Sequence, residues 1–125
     1  MFRQGPIPRF VHGLVEYGAG ILFIVAPFLL SFEAAAATAL SMVLGVVVLV
    51  MAATTTGPTS IVNQVPLAVH VALDYLMVPL LIAAPFLFGF SDETNPTAFF
   101  IALGLIHLLM TIGTRPGEKK APAGR

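Results

Sequence analysis

The stretch VHGLVEYGAGILFIVAPFLLSF occupies residues 11–32 and returns, altered but recognisable, as VHVALDYLMVPLLIAAPFLFGF at residues 69–90. Ten of the 22 aligned positions are identical, among them the leading Val-His, Tyr17/Tyr75 and the block Ala-Pro-Phe-Leu, while Glu16 answers Asp74. Each copy is long enough to cross a bilayer as a helix, which takes about 20 residues. Each also carries a histidine and a carboxylate four residues apart in otherwise apolar surroundings. Beyond the copies, LGVVVLVMAATT (44–55) is answered by LGLIHLLMTIGT (103–114) after one inserted residue, pairing Gly45 with Gly104. The repeating unit is therefore a hairpin of two helices, and internal similarity of this kind dictates the architecture.

Composition agrees. Of 125 residues, 58% are hydrophobic and 10% charged, and the mean hydropathy is +0.96; a soluble domain carries about 25% charged residues. Four apolar runs, roughly 10–32, 34–53, 67–90 and 95–113, are predicted to span a membrane. Backbone groups in hydrocarbon must be satisfied within the segment, so helices are expected, and no run shows the alternation of a transmembrane strand. The fold class is thus all-α: a polytopic membrane protein with four transmembrane helices in two tandem hairpins. Repeat one covers 11–55 and repeat two 69–114, within a membrane domain of residues 10–113. Residues 1–9 form an N-terminal segment, and 114–125, rich in Pro and Gly, a disordered tail. The first run is expected to be retained rather than removed as a signal peptide, because it is too long for an h-region, Glu16 interrupts it, and it has a partner later in the chain. With no cysteine in the chain, neither disulfides nor thiolate metal sites arise.

All six basic residues lie at the ends, Arg3 and Arg9, then Arg115, Lys119, Lys120 and Arg125, while the turns near 33 and 91–94 carry Glu33, Asp92 and Glu93. The positive-inside rule then puts both termini and the uncharged 54–66 connection in the cytoplasm. Two helices per repeat make the repeats parallel, related by a pseudo-twofold axis along the membrane normal. His12 and His70 then share one depth, with Glu16 and Asp74 about 6 Å deeper. His107 descends on the fourth helix into the same half of the bilayer.

The chain resembles the SPW-repeat family, small bacterial and archaeal membrane proteins built from two-helix repeats and named for a Ser-Pro-Trp at the end of the first helix. Here the position reads Ala26-Pro27-Phe28 and Ala84-Pro85-Phe86, followed by the glycine-centred helices of Gly45 and Gly104. The resemblance covers about residues 11–113. It implies the fold and a bacterial or archaeal cytoplasmic membrane, and it brings no activity and no catalytic residues.

The candidate polar layer comprises His12, Glu16, Tyr17, His70, Asp74, Tyr75 and His107. An ionisable residue within the membrane suggests a proton relay, ion path or cofactor site. The simpler alternative places the histidines among lipid headgroups near Arg9 and Pro66, with the acids holding helices together. Glu16 and Asp74 are expected to point into the bundle and to share a proton or bond to Tyr17, Tyr75 or His107. Two histidines at one depth would suit haem, but no further haem feature accompanies them, and no cofactor is assigned. A divalent ion on His12, His70, Glu16 and Asp74 is chemically sensible, yet the i,i+4 spacing is common in structural helices and assigns no metal. Ser41 and Ser60 lie beside no base, so no catalytic residue is named and the protein is not expected to be an enzyme. Pro27 and Pro85 should kink or end their helices, with Phe28, Phe32, Phe86 and Phe90 at the outer rim. Gly18, Gly20, Gly45 and Gly104 are expected to bring helices together.

The expected role is structural or accessory: packing against lipid and a membrane-protein partner, or self-associating. Nothing points to nucleic acid. A small transporter or proton-coupled channel working through the polar layer is the alternative, ahead of a metal- or haem-binding protein.

Overall fold

The computed structural model describes residues 6–114. It contains α1 (Arg9–Leu29), α2 (Ala35–Thr54), α3 (Leu67–Leu87) and α4 (Thr94–Gly113). All four are long and apolar enough to cross a membrane. The chain is a multi-pass membrane protein. Backbones approach most closely within each hairpin, α1 with α2 and α3 with α4. Glycine makes this possible: a Cβ on Gly45 would lie 2.7 Å from the Gly20 carbonyl oxygen and 3.1 Å from the Ile24 backbone nitrogen. In the second hairpin, a Cβ on Gly104 would meet Ile82 Cγ1 at 2.8 Å.

The pseudo-symmetry runs further than the sequence alignment. Pro8 and Pro66 are the N-caps of α1 and α3, and the residues before them pair with the ends of α4 and α2. The Ile7 N–H donates to the Gly113 carbonyl at 3.0 Å, and the Thr56 N–H to the Val65 carbonyl at 2.9 Å. Both described ends of the chain thus lie beside the 55–66 connection, at one end of the bundle. Thr114, assigned from sequence to the tail, is buried within the fold; the rest of that tail lies outside the described residues, as do residues 1–5.

α1 and α3 end three residues earlier than their apolar runs. Phe32 N–H donates to the Pro27 carbonyl and Phe90 N–H to the Pro85 carbonyl, both at 2.9 Å, the six-to-one bond of a Schellman turn. The left-handed residue of that turn is Ser31 (φ 52°) in one copy and Gly89 (φ 76°) in the other. Hydropathy could not show this stop, because the chain stays greasy while it folds back. The fold-back also corrects the expectation of a phenylalanine rim. Phe28 and Phe86 do point outward, 70% and 64% exposed, but Phe90 is 1% exposed and belongs to the core. That core fills the far end of the bundle, where Phe23, Phe90, Phe99 and Phe100 stack edge to face and Phe32 packs against them.

Pro27 cannot donate to the Phe23 carbonyl four residues earlier. The Ser41 hydroxyl takes its place, donating at 2.5 Å across from α2. At the same end, both carboxylate oxygens of Glu93 accept backbone N–H groups leading into α2, from Glu33 at 2.7 Å and Ala34 at 2.9 Å. This ties the second hairpin to the first and puts negative charge at the α2 N-terminus, where the helix dipole favours it.

Candidate functional site

At the end opposite the phenylalanine core, the repeat brings its ionisable side chains together. His12 (4% exposed), Glu16 (9%), His70 (4%) and Asp74 (5%) are all buried. One ligand atom from each lies within 4.8 Å of the others. His12 Nε2 stands 2.9 Å from Glu16 Oε1 and 3.5 Å from Asp74 Oδ2. His70 Nε2 stands 2.8 Å from Glu16 Oε2 and 3.3 Å from Asp74 Oδ2. The depth difference expected between imidazoles and acids vanishes at the side-chain ends. Helical side chains tilt toward the N-terminus, so the carboxylates reach back to the histidine level. Burial this complete does not describe histidines among headgroups.

His107 joins from α4, its Nε2 3.4 Å from Asp74 Oδ1. Its counterpart in the first repeat is Val48, so the centre is symmetric in four residues and asymmetric in the fifth. Tyr17 turns its hydroxyl away from the acids. The Tyr17 hydroxyl donates to the Thr59 carbonyl at 2.8 Å in the 55–66 connection, and Tyr75 is 39% exposed. Arg9 donates to the Thr56 carbonyl at 2.7 Å, and a Cβ on Gly13 would strike Thr59. The connection is thereby held over the centre, leaving a cavity of about 30 Å³ lined by Arg9, His12, Glu16, Thr55 and His70. A larger one of about 170 Å³, lined mainly by apolar residues of α2 and α3, reaches Glu16, Asp74 and His107 from the side.

Two residues of the site were not singled out in the sequence, Thr55 and Thr114. Thr55 Oγ1 lies 2.6 Å from His70 Nδ1, and Thr114 Oγ1 2.6 Å from His12 Nδ1. Each hydroxyl donates its one proton to its own helix, to the Met51 carbonyl at 2.6 Å and to the Met110 carbonyl respectively. Each must therefore accept from imidazole Nδ1–H, which fixes both tautomers and turns both Nε2 atoms toward the carboxylates. The available signal was their equivalence in the repeat alignment, LGVVVLVMAATT against LGLIHLLMTIGT.

The remaining positions are structural in placement. Gly20, Gly45 and Gly104 lie in the tight helix contacts within the hairpins, whereas a Cβ on Gly18 would meet nothing within 4 Å among the described residues; Gly18 faces away from the other described helices. Pro27 and Pro85 are buried inside the last turns of α1 and α3.

No curated protein and no solved structure matches the chain. A family model, that of the SPW repeat domain, matches residues 9–114, the same span over which the two hairpins and their shared polar centre repeat. The chain belongs to the SPW repeat family.

Proposed function

We propose that this small membrane protein handles a cation at its buried centre, as a transporter or proton-coupled channel of the bacterial or archaeal cytoplasmic membrane. The observation that carries the reading is the approach of imidazole nitrogen to carboxylate oxygen at 2.8–2.9 Å in a buried site. A nitrogen lone pair and a carboxylate repel at that distance unless a positive charge lies between them. Buried charge within a membrane is costly and marks ion pathways and proton relays. The cavity under the 55–66 connection offers access from the end of the bundle, which the basic termini assign to the cytoplasm.

Vesicles containing the purified chain should show proton flux driven by a pH gradient. Glu16→Gln and Asp74→Asn should reduce it at least tenfold without changing the oligomeric state in detergent. Flux no greater than through empty vesicles overturns the reading.

An accessory role draws support from Gly18, whose open Cβ position lies on an outer face with exposed Leu14, Ile21 and Leu22. On that reading Gly18→Leu leaves the bundle folded and releases a membrane-protein neighbour in gentle extraction. Copurification unchanged by the substitution removes this face as the contact.

A further inference from the structure

We propose that His12, Glu16, His70 and Asp74 form a binding site for one divalent transition-metal ion, with Thr55 and Thr114 orienting its histidines. The inference deepens the cation-handling reading above and rests on it.

Three observations lead there. The first is shape. Metal–ligand bonds of about 2.0–2.1 Å place neighbouring atoms of a tetrahedral shell about 3.3 Å apart. The four imidazole–carboxylate separations are 2.9, 3.5, 2.8 and 3.3 Å, the two shortest reaching different oxygens of Glu16. One donor atom from each residue lies within 4.8 Å of the others, so the donors surround a space that a small contraction would close to such a shell. The second is an unmet valence. His12 Nε2 and Asp74 Oδ2 are buried within that shell, yet neither has a hydrogen-bond partner among the described residues. His12 Nε2 is close to two carboxylate oxygens and hydrogen-bonded to neither, which leaves its lone pair open to an ion between them. His70 Nε2, by contrast, is hydrogen-bonded to Glu16 Oε2 at 2.8 Å, where an ion would replace the bridging proton. The third is the outer support. Histidines that bind metals commonly donate their other ring N–H to an oxygen, which fixes tautomer and ring orientation. Thr55 and Thr114 do this for both rings; His107 Nε2 lies 3.4 Å from the far oxygen of Asp74 without a hydrogen bond to it.

Charge points the same way. Two carboxylates and two neutral imidazoles carry −2, and one divalent ion neutralises them. Without it, a proton on each imidazole does the same, so metal uptake displaces protons and weakens as pH falls. Among the described residues, the charged and titratable groups facing the four donors are Arg9 on α1 and His107 on α4; from the α2 side come Ala52 and the C-cap residue Thr55. Two nitrogens and two oxygens suit zinc, iron, cobalt or manganese.

The chain contains only three histidines and no cysteine, so imidazole ligation has few possible sources. The test uses the full chain in mild detergent, carrying no polyhistidine tag, equilibrated with Zn²⁺ or Co²⁺ near neutral pH and passed through gel filtration. One ion per chain is expected, with the absorption of four-coordinate Co²⁺. His70→Ala and His12→Ala should abolish it, and Thr55→Val with Thr114→Val should weaken affinity about 10–100-fold. Folded wild-type protein that retains no ion, or an ion kept at full strength in His70→Ala, overturns the site. Because the wild-type titration decides by itself, a variant that fails to fold does not shelter the proposal. Proton flux that depends on Glu16 in a chain that binds no metal would sink the metal site and leave the cation-handling reading standing.

Discussion

Asp74→Ala is expected to lower stability by about 3–5 kcal/mol, the usual cost of removing one partner from a buried ion pair. Asp74 Oδ2 faces His12 at 3.5 Å and His70 at 3.3 Å, while Oδ1 faces His107 at 3.4 Å. Alanine leaves three imidazoles around a void, with Glu16 as the only acid among them. Asp74→Asn retains an oxygen for one side but presents an N–H₂ to the other, so it should recover part of the loss. Detergent-titrated unfolding of the three proteins, followed by circular dichroism, checks the order wild type, Asn, Ala. Equal stability of wild type and Asp74→Ala would mean that the centre contributes nothing to holding the hairpins together.

Gly45→Leu should be comparably damaging, for a steric reason. A Cβ at this position lies against the Gly20 carbonyl and the Ile24 backbone nitrogen, and backbone cannot rotate out of the way as a side chain can. Overpacking of this kind costs about 1–3 kcal/mol for small additions and more for large ones. Gly45→Ala should already destabilise, although alanine gains up to about 1 kcal/mol in helix propensity. Gly104→Ala should cost less, because its nearest obstacle is a movable Ile82 side-chain carbon at 2.8 Å. Gly18→Ala, meeting nothing within 4 Å, is the control and should be neutral or stabilising. A Gly45→Ala protein as stable as Gly18→Ala would disprove the close approach of α1 and α2.

Much of this architecture was legible because the membrane imposes a strong constraint. Runs of about 20 apolar residues read directly as spans, and the internal repeat turned four spans into two hairpins. What hydropathy could not show were the stops at Leu29 and Leu87. These depend on a left-handed residue and on Pro27 and Pro85, with leucine and phenylalanine continuing past them. Phe90 was misplaced at the rim for the same reason: exposure to lipid and burial in protein select the same side chain. In the polar layer, the i,i+4 pairs His12/Glu16 and His70/Asp74 were visible. Their inward direction was expected as well, but the contacts between the imidazoles of one helix and the acid of the other were not, since these depend on how α1 and α3 are rotated toward one another. Thr55 and Thr114 escaped notice because threonine near a helix end usually bonds to its own backbone. Here it does that and receives an imidazole proton as well.

The threonines also reveal something about the origin of the fold's logic. His12 of the first hairpin is held by Thr114 of the second, and His70 of the second by Thr55 of the first. This reciprocal exchange is the rule of an isologous interface, in which two copies of one surface embrace each other. Half of this chain holds half of every pairing, so one hairpin alone lacks a complete centre, while two identical hairpins would contain every residue for one. Covalent linkage relaxes a demand that identical subunits must obey, that any change appear twice. The chain uses that latitude: His107 stands opposite Val48, and Leu76, Met77 and Val78 opposite Gly18, Ala19 and Gly20. Such a molecule is a dimer in geometry and a monomer in inheritance, free to give one face to its own partner helix and the other to something else.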